Sequence, residues 1–196
     1  MYKILLLLSL VISSVFAEVD ANLEVAKKTN ALPKILVSVA TDTLEIETLN
    51  KIKKNLADDL SVSGHFEVVS VNSVTSYENM PDIIGLSNQG INLYLNLSAK
   101  KEADSYTLMT KLYDINSRTL ILEKNFATTQ EDRYVFLAHK AAISTNAFFK
   151  APSIDWMEKF VVFSTYTTSG AADIMIGDYT LTYKKTVVSG GLNIFP

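Results

Sequence analysis

No cysteine occurs in the 196 residues, so neither disulfides nor thiolate metal sites support this chain, and its stability must come from burial. Proline (4) and glycine (7) are scarce beside an apolar fraction of 48%, which excludes a disordered or low-complexity protein. No basic cluster exists that would neutralise several phosphates, so nucleic acid and anionic membrane are poor partners. There is no Gly-x-Ser-x-Gly elbow, Gly-rich phosphate loop, His-Glu-x-x-His or EF-hand pattern, and Gly85-Leu86-Ser87-Asn88-Gln89-Gly90 has one residue too many for the elbow. The histidines are only 2, His65 and His139, and neither has an acid or nucleophile close in sequence to make it a base, so both are read as structural. Asp58 and Asp59 adjoin on one helix, where neighbours point about 100° apart, and are read as a solvated face. Asn96-Leu97-Ser98 matches a glycosylation acceptor but lies inside an expected strand and is set aside.

One long apolar run is present, at the start. Lys3, then Ile4 to Ile12, then Ser13-Ser14-Val15-Phe16-Ala17 has the charged start, apolar centre and small residues before a cut that define a secretory leader. The run falls short of the ~20 apolar residues of a spanning helix, so cleavage between Ala17 and Glu18 is expected rather than anchoring. Lys3 is the only charge in the leader, so cleavage takes the net charge from -3 to one unit lower, and the exported protein is mildly acidic.

A polar stretch from Glu18 to Asn30 lacks core periodicity. After Pro33, the branched run Lys34 to Ala40 predicts a strand; Asp42 with Glu45 resembles a capping box, and Leu49, Ile52, Leu56 and Leu60 follow helical spacing to Gly64. His65 to Ser70 predicts a second strand, and a short helix is expected around Asp82 to Ser87. Ile91, Leu93, Leu95 and Leu97 alternate with polar positions or tyrosine, the pattern of a sheet with one covered face. Tyr106–Tyr113 and Thr119–Phe126 flank the turn Asp114-Ile115-Asn116-Ser117 and predict a hairpin. Thr128 with Glu131 offers a second capping box for a helix running to about Lys150, with Tyr134, Ala138, Ala141, Thr145 and Phe148 on one side. Ala151-Pro152-Ser153-Ile154 then reads as a linker. Three short strands follow, Phe160–Thr165, Asp173–Tyr179 and Lys185–Val188, the meander used in sandwiches, barrels and propellers, none of which three strands complete.

These segments, taken in order, resemble the TolB family, exported soluble components of the Tol-Pal envelope system of Gram-negative bacteria. The resemblance rests on Asn55 to Phe66 as the end of the first helix, Leu112 to Leu120 as the hairpin, Leu137-Ala138-His139-Lys140 as the start of the second helix, and Phe160-Val161-Val162-Phe163 with Ile176-Gly177-Asp178-Tyr179 as strands of a first propeller blade. Two departures stand out: Gly90-Ile91-Asn92 where the family has Gly-Ala-Asp, and Ser153-Ile154-Asp155-Trp156 where it has a glycine-rich entry. The resemblance implies an α/β first domain, a mixed sheet with two helices, followed by an incomplete first blade of a β-propeller, so that the sequence reads as a fragment. The expected domains are a leader at 1–17, an arm at 18–32, the α/β domain at 33–150, a linker at 151–158 and the partial blade at 159–196.

The resemblance further implies a non-enzymatic periplasmic protein without cofactor or metal. It joins inner-membrane TolA to the outer-membrane lipoprotein Pal, for envelope integrity and outer-membrane constriction at cell division. Glu18, Val19 and Asp20 would lie in an arm that binds the C-terminal domain of TolA, and the propeller would hold Pal. The alternative is the front of an exported propeller hydrolase of the prolyl-oligopeptidase kind, whose catalytic domain lies further along; repeats of about forty residues, or an elbow serine, beyond Pro196 discriminate the two.

Overall fold

Branched apolar residues without alternation suit a strand buried on both faces, and β1 (Lys34–Val39) is one: Ile35, Leu36, Val37 and Ser38 are all buried. It lies parallel between β2 (Glu67–Val69) and β3 (Leu93–Glu102), and β4 (Ser105–Asp114) and β5 (Thr119–Thr128) continue antiparallel, giving the order β2-β1-β3-β4-β5. The computed structural model describes residues 31–41, 46–70, 75–103, 105–168 and 170–191, and Leu32–Pro196 forms a unit of its own. The leader, the arm residues Glu18, Val19 and Asp20, and the Asp42 and Glu45 pair lie outside the described residues.

Helix α1 (Ile46–Val62) joins β1 to β2 and buries Leu49, Ile52, Leu56 and Leu60 completely. Its outer face carries the ion pairs Lys51–Glu47 and Lys54–Asp58 at i,i+4 spacing. Gly64 follows the helix at φ +72, a left-handed conformation that a Cβ would strain.

The alternation of β3 predicts one covered face, but both are covered: every residue from Leu93 to Ala99 is buried, including Tyr94 and Asn96 at 0% exposure. The cause is the segment from 75 to 92, which crosses the face opposite the long helices. Within it Asp82 caps the short helix α2 (Ile83–Asn88) by accepting from the Gly85 N–H at 3.0 Å. Leu86 and Ile91 pack with Leu36, Tyr94, Tyr113 and Ile115 into a second core. Asn96 Nδ2 donates to the Ser76 carbonyl, so the polar half of the alternation is paired inside the protein. The hairpin turn forms as expected, with Asp114 Oδ1 accepting from the N–H groups of Asn116 and Ser117.

A single 3-10 turn, Glu131–Arg133, leads into α3 (Tyr134–Phe148). The expected Thr128 and Glu131 capping box does not form: Glu131 pairs instead with Lys101 at 2.9 Å, and Thr128 Oγ1 accepts from the Gln130 N–H. Nor does α3 have one covered side. Val135, Phe136, Leu137, Ala138, His139, Ala141 and Ala142 are all buried, because α1 and the first sheet lie on one flank and, on the other, Phe160, Tyr179 and Tyr183 reach in from the ends of a second sheet's strands. That second sheet is the antiparallel meander β6 (Val161–Thr168), β7 (Ala171–Gly177) and β8 (Lys184–Val188), the form of an incomplete propeller blade.

The stretch expected as a linker, 151–158, is packed. Asn146 on α3 donates to the Pro152 carbonyl at 2.8 Å, a 3-10 turn forms over Asp155–Glu158, and Ile154 (4%) and Met157 (0%) are buried. The same Asn146 holds His65 Nδ1 at 2.6 Å, which places His65 in the seam between α3 and the start of β2.

Candidate functional site

Among the described residues, the strongest concentration of buried titratable groups lies where α3 meets the turn between β7 and β8. Asp59 sits one turn from the C-terminal end of α1, where the helix dipole disfavours a carboxylate, and is nevertheless fully buried. Its partners are tertiary: His139 Nδ1 lies 2.8 Å from Oδ2, and the Tyr179 hydroxyl donates to Oδ1 at 2.5 Å. The reading of Asp58 and Asp59 as one solvated face is therefore corrected for Asp59, while Asp58 remains exposed against Lys54. Periodicity carried the signal. Asp59 stands seven residues after Ile52 and three after Leu56, on the apolar stripe of α1, whereas Asp58 lies off it.

On the far side of the imidazole, Nε2 faces Asp178 Oδ2 at 3.4 Å, close enough for an ion pair but without the alignment of a hydrogen bond. Asp178 follows β7 and organises the turn into β8: Oδ1 accepts from the Tyr183 N–H at 2.6 Å, Oδ2 accepts from the Thr180 N–H at 2.7 Å, and the Thr180 hydroxyl also donates to Oδ2. Burial, the largest single influence on this carboxyl, acts to raise its pKa. The Thr180 hydroxyl, the N–H groups of Tyr183 and Thr180 and the His139 ring outweigh it and hold the pKa below the usual carboxylate value. Burial, reinforced by the hydrogen bond and charge of Asp59, moves the Tyr179 hydroxyl well above the usual tyrosine range, so it remains a donor.

Aromatic rings close the seam around this cluster. Phe136 meets His139 at 5.7 Å, Phe160 at 5.1 Å and Tyr183 at 5.6 Å between centroids, and Trp156 stands edge-on to Tyr179 at 5.0 Å. Arg133 lies over Phe160 and Tyr183 at 5.8 and 5.5 Å.

A histidine between two carboxylates is a familiar catalytic arrangement, but Asp59, His139 and Asp178 are each 0% exposed and the neighbouring hydroxyl is spent as a donor to Asp59. No substrate reaches groups so enclosed. The chemistry of the cluster is cohesion, a clasp that joins α1, α3 and the β7–β8 turn. From the sequence His139 is read only as structural, within the second helix, and its acids come from 80 and 39 residues away. Among the described residues, no group of three or more His, Asp or Glu is placed to hold a metal ion, and no helix is long and apolar enough to cross a membrane. The expected cleavage pair Ala17 and Glu18 and the partner-binding Glu18, Val19 and Asp20 lie outside the described residues.

A family model described as the TolB amino-terminal domain matches residues 21–121. The Tol-Pal system protein TolB of Helicobacter hepaticus is 43% identical over 182 residues, 91% of this chain and 42% of that protein. The Tol-Pal system protein TolB of Wolinella succinogenes is 41% identical over 198 residues, 99% of this chain and 46% of that protein. The chain thus spans less than half the length of these curated relatives. Among solved structures, TolB from Acinetobacter baumannii superposes with a TM-score of 0.60 at 18% identity over 81% of this chain and 39% of that one, a likeness of fold.

Proposed function

The chain belongs to the TolB family and is a component of the Tol-Pal system, and on that premise we propose that it is a periplasmic, non-enzymatic adaptor that links inner-membrane TolA to the outer-membrane lipoprotein Pal. In this role it supports envelope integrity and outer-membrane constriction during division. Export uses the leader at 1–17, cut between Ala17 and Glu18. Glu18, Val19 and Asp20 begin an arm, within 18–32, that docks on the C-terminal domain of TolA. The α/β domain at 33–150 carries the arm, and the partial blade at 159–196, joined through 151–158, begins the propeller that holds Pal.

The observation that carries this reading is the family match together with the character of the segment that follows the leader. Glu18 to Asn30 is polar and lacks core periodicity, as suits a segment that orders on the sheet edge of a partner. Such an arm separates from folding. Deleting Glu18 to Asn30 is expected to leave the melting temperature of the remaining protein nearly unchanged and to abolish binding to the isolated TolA C-terminal domain in a calorimetric titration. Ordering a free arm costs entropy, so the intact protein should bind with only modest affinity. Equal binding by intact and arm-deleted protein rejects the arm as the docking element.

A further inference from the structure

His139 faces an acid at each ring nitrogen. Nδ1 lies 2.8 Å from Asp59 Oδ2, and Nε2 lies 3.4 Å from Asp178 Oδ2. All three side chains are 0% exposed, so water screens none of their charges. The other titratable groups around the ring are already engaged. Tyr179, whose ring centroid stands 5.1 Å from the imidazole, donates to Asp59; Asp58 on α1 pairs with Lys54; Lys140 on α3 pairs with Glu158 at 3.5 Å; and Arg133, before α3, lies over the rings of Phe160 and Tyr183. Among the described residues no lysine or arginine pairs with Asp59 or Asp178.

The imidazole alone is left to balance two enclosed carboxyl groups. Asp178 accepts three hydrogen bonds and is held ionised into acid. Asp59 accepts the Tyr179 hydroxyl at Oδ1, and between its Oδ2 and Nδ1 the imidazole, the stronger base, holds the shared proton. With that proton alone the ring is neutral. Two buried negative charges then have no counter-charge, and the Nε2 lone pair points at Asp178 Oδ2 with no donor in reach. A second proton, on Nε2, places one positive charge between the two negative ones and turns a repulsive contact into an ion pair. Burial of unbalanced charge is far costlier than burial of paired charge, so the geometry favours the doubly protonated ring.

We propose that the clasp is a proton-dependent latch: His139 is held as an imidazolium that fastens the β7–β8 turn to α1 and α3, and loss of its Nε2 proton to water on the alkaline side releases that turn. The direction follows from linkage. The folded cluster holds a proton that the same histidine gives up more readily in the unfolded chain, so the stabilisation is complete at lower pH and is lost as pH rises. Asp178 sets the limit on the other side, because the latch also needs its carboxylate ionised. Release reaches beyond the turn itself, since Tyr179 meets Trp156 of the packed 151–158 stretch edge-on at 5.0 Å. The latch is internal to α1, α3 and the β7–β8 turn, and rests neither on the arm at 18–32 nor on the partners proposed above.

Trp156 is the single tryptophan of the chain, so its fluorescence reports this seam directly. The test titrates the full chain, carrying nitrogen-15 in its histidine rings, from neutral to alkaline pH, with His65→Gln to assign the two rings. At neutral pH both nitrogens of His139 are expected at imidazolium shifts. The Trp156 emission should then change with the same midpoint as the loss of the Nε2 proton. Asp178→Asn removes one of the two anions, and the proton affinity of His139 is expected to fall at least about tenfold. His139→Gln should show the released Trp156 signal already at neutral pH and no further change above it; if that variant does not fold, Asp178→Asn carries the comparison. The proposal is overturned by a neutral His139 ring at neutral pH, by a Trp156 signal indifferent to its deprotonation, by unchanged proton affinity in Asp178→Asn, or by a native Trp156 signal in His139→Gln.

Discussion

Asp58 and Asp59 are adjacent and chemically identical, yet one is solvated against Lys54 and the other is buried between His139 and Tyr179. The difference comes from the 100° between successive helical residues, which turns Asp59 toward the apolar stripe and hence toward α3. At such a site removal of one partner leaves the others desolvated and unpaired, so single substitutions cost more than the net worth of the interaction. Asp178 gives this a measurable sign. Its folded pKa is held below the ordinary 3.8, so its contribution to stability is fully present above that value and is lost as pH falls through the lower folded pKa. Near neutral pH, Asp178→Asn should therefore be less stable than the native chain by about 1–3 kcal/mol. In urea denaturation at successive pH values the gap should narrow on acidification, native and variant converging in strong acid. A gap that stays constant with pH would show that the Asp178 charge contributes nothing to the β7–β8 turn.

Among the elements, β1, α1 and the β4–β5 hairpin were legible in the sequence because their signals are local: an apolar run, a 3.6-residue stripe ended by Gly64, and the Asp114 to Ser117 turn. The second covered face of β3 was not legible, because its cover is α2 and its flanks, a stretch whose apolar residues follow no single period. Helix α3 was legible as a helix but not as a two-sided one, since uniform burial leaves little periodicity to read. Its alanines are what allow both flanks to approach. Ala138 is fully buried, so Ala138→Leu should overpack the layer and cost about 1–3 kcal/mol. Ala147, exposed on the same helix, serves as the control, and Ala147→Leu should change stability by no more than about 0.5 kcal/mol. Similar losses for both in thermal or urea unfolding would mean that α3 is not packed on two sides.

For the whole molecule, the family was legible from the order of weak motifs, whereas the clasp was not, because Asp59, His139 and Asp178 lie on three separate elements and meet only through tertiary packing. The consequence for architecture concerns residues 151–158. The local sequence suggests a linker, with Pro152 after a helix end, and a linker would let the second sheet move away from α3 and loosen the backbone after the exposed Lys150 for protease. Instead Asn146 holds Pro152, the Ala151 N–H reaches the Asn146 carbonyl at 3.4 Å, and Met157 is enclosed. By contrast β8 is a five-residue edge strand exposed along its whole length, with Lys184 and Lys185 at its start. Cleavage within ordered structure needs local opening, and the element with the fewest buried contacts opens first. Limited trypsin digestion should therefore cut after Lys184 or Lys185 before it cuts after Lys150, and the early fragment, read by intact mass, should still contain Met157 and the clasp residues Asp59, His139 and Asp178. First cleavage at Lys150 would instead establish 151–158 as a working linker and the clasp as too weak to hold the second sheet against α3.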